Sequence, residues 1–141
     1  MKNIRRISRP VLATAASIAL GLFSGLSLAG DVKLSGANEV PAVSTAATGS
    51  GTITVADDGA VSGSVTTTGI QGTMAHIHIG AAGRNGPVAV PLTKGDGGMW
   101  SVPAGTKLTA DQLKSYKAGE LYVNVHSDAN KGGEIRAQLA P

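Results

Sequence analysis

Short stretches in which apolar and polar residues alternate, separated by glycine-containing turns, dominate the sequence after Gly30. Alternation with a period of two gives a β-strand one apolar and one polar face, whereas a helix needs a period near 3.6. In one example, alternating residues 52–55 and 61–65 flank Asp58-Gly59, a pair that favours a tight hairpin turn. Because such stretches recur along the chain, we predict an all-β fold, an antiparallel Greek-key or immunoglobulin-like β-sandwich of about eight strands.

One short helix is expected to connect two of these strands. Residues 109–112, Thr-Ala-Asp-Gln, have the form of a capping box, and Gly119 suits the position after a helix end. A helix of about two turns is marginal by itself, so it has to be held by packing against the strands. The chain contains no cysteine, so packing or a metal ion must stabilise the whole domain.

The first 29 residues have the pattern of a secretory signal peptide. Four basic residues precede residues 11–28, an uncharged run rich in apolar and small side chains, and Ser27-Leu28-Ala29 then offers a cleavage site before Gly30. The alternative is a membrane anchor, since the run is close to the lower limit of about 17–25 residues for a span. The immediate cleavage site favours a signal peptide over residues 1–29, a domain over 30–141, and a periplasmic or secreted protein.

The charge of the exported domain differs from that of the whole chain. All nine acidic residues but only eight of the twelve basic residues follow Gly30, so the net charge changes from +3 to −1. The basic excess belongs to the leader, and we therefore expect no nucleic-acid partner and, after cleavage, no membrane partner. Only three aromatic residues follow the leader, and aromatic residues dominate the binding energy of most protein interfaces, so we expect a monomer. Binding to another exported protein is still possible.

The three histidines lie on two alternating stretches. In residues 75–79 the odd positions are apolar, so His76 and His78 share the opposite face, with Cα atoms about 6.6 Å apart at the rise of a strand. Residues 121–126 have the same pattern, which also places His126 off the core face. Imidazoles that lie this close on one face can converge on a single ion.

Three neutral imidazoles with an open position suit copper or zinc, whereas calcium and magnesium prefer oxygen ligands. Met74 has the same parity as the strand histidines, and its thioether would favour copper(I), although it could simply fill space in the packing. Asp128 could orient an imidazole from behind or belong only to a turn. We take His76, His78, His126 and Met74 as candidate metal ligands, with copper as the first choice and zinc as the alternative.

Two alternative roles of the histidines require no metal. The strand histidines could be ordinary residues of a polar surface, or they could hydrogen-bond the turn at residues 83–87 and fix its shape. The domain would then be a structural or protein-interaction module, in which Arg136 could pair with Glu134 or Asp128. Beyond the histidines no acid–base pair, activated nucleophile or phosphate-binding loop stands out, so the sequence favours a binding protein over an enzyme.

Three blocks of the chain resemble the CHRD (chordin-type) domain family. Residues 34–41, LSGANEVP, resemble its opening motif, and residues 75–88, AHIHIGAAGRNGPV, resemble its central block. Residues 121–127 and 132–139, LYVNVHS and GGEIRAQL, resemble its closing block. The resemblance covers nearly all of the chain after the leader and implies an extracellular β-sandwich, but it implies a fold and a compartment more than an activity.

A looser resemblance concerns the histidines alone. Copper/zinc superoxide dismutases place a His-x-His strand and a later histidine around copper, and His76, His78 and His126 look like that set. The chain has no further histidine for a copper–zinc bridge or a zinc site, and it has no disulfide. A superoxide dismutase-like copper enzyme is therefore the third function that we consider, after a metal-binding protein and a metal-free module.

Overall fold

The structure, a computed structural model, describes residues 30–141 and contains nine strands and one α-helix. The signal peptide predicted for residues 1–29 lies outside the described residues. The strands are β1 (Gly30–Ser35), β2 (Thr48–Val55), β3 (Val61–Thr68), β4 (Gly72–Ile79), β5 (Val88–Pro91), β6 (Thr93–Lys94), β7 (Met99–Ser101), β8 (Leu121–Ser127) and β9 (Ile135–Leu139). The helix α1 spans Ala110–Lys117, and two 3-10 turns cover Gly36–Asn38 and Asp96–Gly98.

All strand pairs are antiparallel, which confirms the predicted all-β fold. The strand count is nine rather than eight, and the strands form one continuous sheet rather than two separate ones, in the order β5-β4-β8-β9-β1-β2-β3-β7-β6. The reason is that the chain crosses from one end of the sheet to the other at Leu92. β5 pairs with β4 on one side of this residue, and β6 pairs with β7 on the other. The sheet therefore curls into a nearly closed barrel, which protects its edges.

The apolar core lies inside the curl and contains residues from both halves of the sheet. Trp100 of β7 is almost fully buried, and a Cβ atom added at Gly72 of β4 would lie 2.8 Å from its ring and 3.1 Å from Val125 of β8. These contacts show that β7 packs across the core against β4 and β8. Ile77 and Val123, at the odd positions of β4 and β8, are also fully buried, as the alternation predicts.

The predicted helix is confirmed together with its cap. The Thr109 side chain accepts a hydrogen bond from the Gln112 backbone N–H, and the Gln112 side chain accepts one from the Thr109 N–H. Tyr116 is the buried residue of α1, and its hydroxyl donates to the Ala140 carbonyl, which fixes the helix against the end of β9. No helix among residues 30–141 is long and apolar enough to span a bilayer.

The second face of β8 is buried as well, although its residues are polar. Tyr122, Asn124 and His126 are at most 7% exposed. Three loops, residues 36–45, 80–87 and 128–134, lie over this face, and one contact between them is the hydrogen bond from the Asn85 side chain to the Val40 carbonyl. The histidines are therefore off the core face, as predicted, but they lie in a covered polar layer rather than on an open surface.

Candidate metal centre

The sheet register brings the three histidines together. His76 and His78 lie on β4, and His126 lies on the neighbouring strand β8, where it pairs directly with Met74. One ring nitrogen from each histidine lies within 4.8 Å of the other two. His126 and His78 are buried and His76 is partly exposed, so solvent reaches the cluster from the His76 side.

The hydrogen bonds of His126 determine which of its nitrogens is free. Its Nδ1 lies 2.8 Å from the Lys131 carbonyl oxygen, which can only accept, so Nδ1 carries the proton. In the neutral ring Nε2 then has a lone pair, and it lies 3.1 Å from Nδ1 of His76. Without a metal His76 donates a proton into this contact. If an ion bound at this contact, His76 would carry its proton on Nε2 instead, and both contact nitrogens would have lone pairs available as ligands.

His78 has the same arrangement. Its Nδ1 donates to the Gly86 carbonyl oxygen at 2.9 Å, and Nε2 is buried and has no hydrogen-bond partner. The expected contact with the turn at residues 83–87 therefore exists, but it uses only one nitrogen and leaves the other free for a ligand. Histidines that bind metals usually donate their second N–H to a carbonyl or carboxylate, which fixes the tautomer and the ring orientation.

The separations of the nitrogens are close to those required by a single ion. At metal–nitrogen distances of about 2.0–2.1 Å, two ligands at 90–110° are roughly 2.9–3.4 Å apart, a range that includes the His76–His126 contact. The largest separation in the cluster, within 4.8 Å, would have to close by up to about 1.4 Å for one ion to contact all three nitrogens.

Burial keeps two of the histidines in the form that binds metals. The pKa of His76 is lowered by burial and by the neighbouring imidazoles of His126 and His78. The pKa of His78 is also lowered, mainly by burial, although the hydrogen bond to Gly86 acts in the opposite direction. Both rings therefore stay neutral at a lower pH than an exposed histidine does.

The loops that hold the histidines are themselves anchored. The carboxylate of Glu134 accepts hydrogen bonds from the Ser127 and Thr45 hydroxyls, and these bonds hold its pKa below the usual value. Because Ser127 and Glu134 border the loop of residues 128–134, this network fixes the carbonyl of Lys131 beneath His126. The backbone carbonyl thus has the orienting role that the sequence suggested for Asp128.

Arg136 does not pair with Glu134. Its guanidinium lies 3.4 Å from the ring centre of Tyr122 and donates to Asn85, Gln138 and the Ala81 carbonyl. Tyr122 in turn stacks on His78, so a buried cation, a phenol and an imidazole form one column. Sequence reasoning missed this column, although the polar residues at alternate positions of β8 and β9 were the signal for it.

Met74 lies on the same face of the sheet as the histidine cluster. Residues paired directly across antiparallel strands share a face, so Met74 lies on the histidine face next to His126. It is 51% exposed, whereas His78 and His126 are buried. Its exposure places it at the solvent-facing edge of the histidine face.

The fold and the cluster define an all-β domain with a covered polar layer that contains three histidines. The CHRD domain family matches residues 31–139, and the chain belongs to this family. No curated protein and no solved structure matches the chain significantly. The likeness to copper/zinc superoxide dismutases therefore rests on the pattern of histidines alone.

Proposed function

We propose that this protein is an exported CHRD-domain protein that binds one copper ion, or zinc as the alternative, through His76, His78 and His126. The observation that carries the proposal is the free, buried Nε2 of His78, whose ring is fixed by its other nitrogen. A buried acceptor without a partner costs about 1–3 kcal/mol, and a metal ion would remove that cost. The proposed leader implies the periplasm or the exterior as the compartment.

Copper is preferred over zinc because of the residue at the solvent-facing edge of the histidine face. Neutral imidazoles bind both metals, but the thioether of Met74 is a soft ligand that favours copper(I). Calcium and magnesium are disfavoured because the three convergent atoms are nitrogens. The chain has no cysteine, so no thiolate takes part in the proposed ligand set.

The test is metal content and titration of the protein exported to the periplasm, with copper and zinc both supplied. We expect one equivalent of copper, which is lost in the His126→Ala and His78→Ala variants. Binding of copper with unchanged stoichiometry in the variant that lacks all three histidines would refute the proposal. Circular dichroism of each variant would confirm that loss of metal is not loss of fold.

A metal-free structural module is the second candidate, and one observation favours it. His78 and His126 each hold a loop through a backbone carbonyl, a role that needs no ligand. If this is their only role, His→Ala variants will lower the melting temperature equally with and without chelator, and no metal will bind. A superoxide dismutase-like activity has no support among residues 30–141 beyond the same histidines.

A further inference from the structure

Three buried side-chain atoms in residues 30–141 have no hydrogen-bond partner, and all of them belong to one polar layer. They are Nε2 of His78, Oδ1 of Asn124 and Oε1 of Glu39. Since Nδ1 of His78 carries the proton, each of the three is an acceptor when Glu39 is ionised. Buried acceptors are nearly always satisfied. Glu39 has the amide of Asn124 beside it, so the other two acceptors, Nε2 of His78 and Oδ1 of Asn124, indicate a bound group with positive charge or with protons to donate.

The surroundings of Asn124 define the direction of its amide. A Cβ atom added at Gly133 would overlap both Oε1 of Glu39 and Nδ2 of Asn124, so these two atoms are neighbours, and a hydrogen bond from the amide lowers the pKa of Glu39. Nδ2 also points toward the Gly132 carbonyl at 3.5 Å. With the nitrogen turned toward Glu39 and the loop, Oδ1 is turned the other way, toward the histidines.

The strand register places Asn124 at the cluster. Asn124 pairs directly with His76 across β4 and β8, and it is two residues from His126 on the same face. A hydrogen bond with the Asn124 side chain raises the pKa of His78, and another lowers the pKa of Glu39, in each case against the larger effect of burial. The Asn124 amide therefore lies between these two side chains. Oδ1 of Asn124 and Nε2 of His78 are thus two free lone pairs in the same small space.

We propose that Asn124 holds a water molecule as the fourth ligand of the metal and that Glu39 positions the amide for this role. The inference rests on the proposed copper site and deepens it. An ion satisfies the nitrogen of His78 but brings no proton to the amide oxygen, whereas a water molecule bound to that ion can donate to it. Sites with three protein ligands and one water are open to exchange, so a small anion such as azide can displace the water.

The test uses the exported protein loaded with copper(II), and it measures the relaxation of bulk-water protons by the metal. We expect the wild type to show the enhancement caused by a directly bound, exchanging water. Azide should abolish that enhancement. Asn124→Leu, which removes the acceptor, should lose it while keeping one equivalent of copper, and Asn124→Asp, which keeps an oxygen at the same position, should retain it.

The outcomes separate this inference from the proposed function. If the wild type binds one copper and Asn124→Leu shows an unchanged enhancement, Asn124 does not hold the water, although the metal site stands. If the wild type binds no copper, both proposals fail. Should Asn124→Leu not fold, Asn124→Ser replaces it: its hydroxyl is too short to reach the same position, so a retained enhancement would again overturn the inference.

Discussion

The imidazole of His78 lies parallel to the phenol ring of Tyr122, with ring centres 4.8 Å apart and planes inclined by 2°. The guanidinium of Arg136 lies 3.4 Å from the centre of the phenol ring, and it comes from β9, on the other side of β8 from the His78 strand. The phenol oxygen accepts a hydrogen bond from the Gly86 N–H, and the Gly86 carbonyl accepts one from His78. One loop residue therefore fixes both rings, and the stack fixes the plane of the imidazole before any ligand arrives.

The stack and the hydrogen bond of Tyr122 can be separated by two substitutions. Tyr122→Phe keeps the stacked ring but leaves the Gly86 N–H without its partner, which should cost about 1–3 kcal/mol of stability and change copper affinity little. Tyr122→Leu removes the stack, so we expect copper affinity to fall by about 10–100-fold, as when the support of a metal-binding histidine is lost. Chemical denaturation and competitive copper titration measure the two effects. Equal affinities for the two variants would contradict a role of the stack in orienting His78.

Two adjacent glycines provide a matched test of the polar layer. Gly133 has φ of +128°, and a Cβ atom there would overlap Glu39 and Asn124, whereas a Cβ atom at Gly132 would meet nothing within 4 Å. We expect Gly133→Ala to lower the free energy of unfolding by more than the roughly 1–3 kcal/mol of a strained backbone alone, because the added Cβ atom also clashes with its neighbours. Gly132→Ala should have little effect. Thermal and denaturant unfolding measure the difference, and similar losses in both variants would show that the layer is less tightly packed than described.

Met74 offers a test of the metal's identity, with Met99 as its control. Both methionines are substantially exposed, at 51% and 39%, but only Met74 pairs with His126. If the thioether binds copper(I) at the edge of the histidine face, Met74→Leu should weaken copper(I) binding and leave zinc binding unchanged, because soft sulfur distinguishes the two ions. Met99→Leu should change neither. If both substitutions have an equally small effect in a competitive copper(I) titration, Met74 is not a ligand and the histidines alone bind the metal.

The sequence determined the core face more completely than the polar face. The odd positions of β4 and β8, such as Ile77 and Val123, are buried as the alternation predicted, and the same alternation located all three histidines on the other face. The capping box at Thr109 is equally local, since four consecutive residues define it. Features of this kind could be predicted because each depends on the neighbours in the chain.

The covered polar layer could not be predicted, because it depends on contacts between distant residues. Asn85 reaches Val40 across 45 positions of the sequence, and Arg136 reaches Ala81 across 55. Alternation alone cannot say whether a polar face meets water or loops, so Asn124 and Glu39 were not recognised as neighbours of the histidines. The single curled sheet depends in the same way on the crossing at Leu92, which leaves no periodic signal.

The lowered pKa values predict how the stability of the metal-free protein depends on pH. His76 and His78 both titrate below the usual value of about 6.5, mainly because burial disfavours the charged ring. In this window the unfolded chain binds more protons than the folded one, so acidification favours unfolding. The stability is fully present above about pH 6.5 and is lost as the pH falls through the folded pKa values. In chelator, the melting temperature should therefore decrease from pH 7.5 to 5.5.

Two variants assign this dependence to particular groups. His76→Gln combined with His78→Gln should flatten the curve, because glutamine does not titrate. Burial raises the pKa of Glu39, so its protonation on acidification favours the folded state and opposes the effect of the histidines. Glu39→Gln removes this opposition and should make the loss of melting temperature steeper. If the dependence of melting temperature on pH is unchanged in the double histidine variant, other groups control the acid sensitivity. The pKa values of His76 and His78 would then not be lowered by burial in solution.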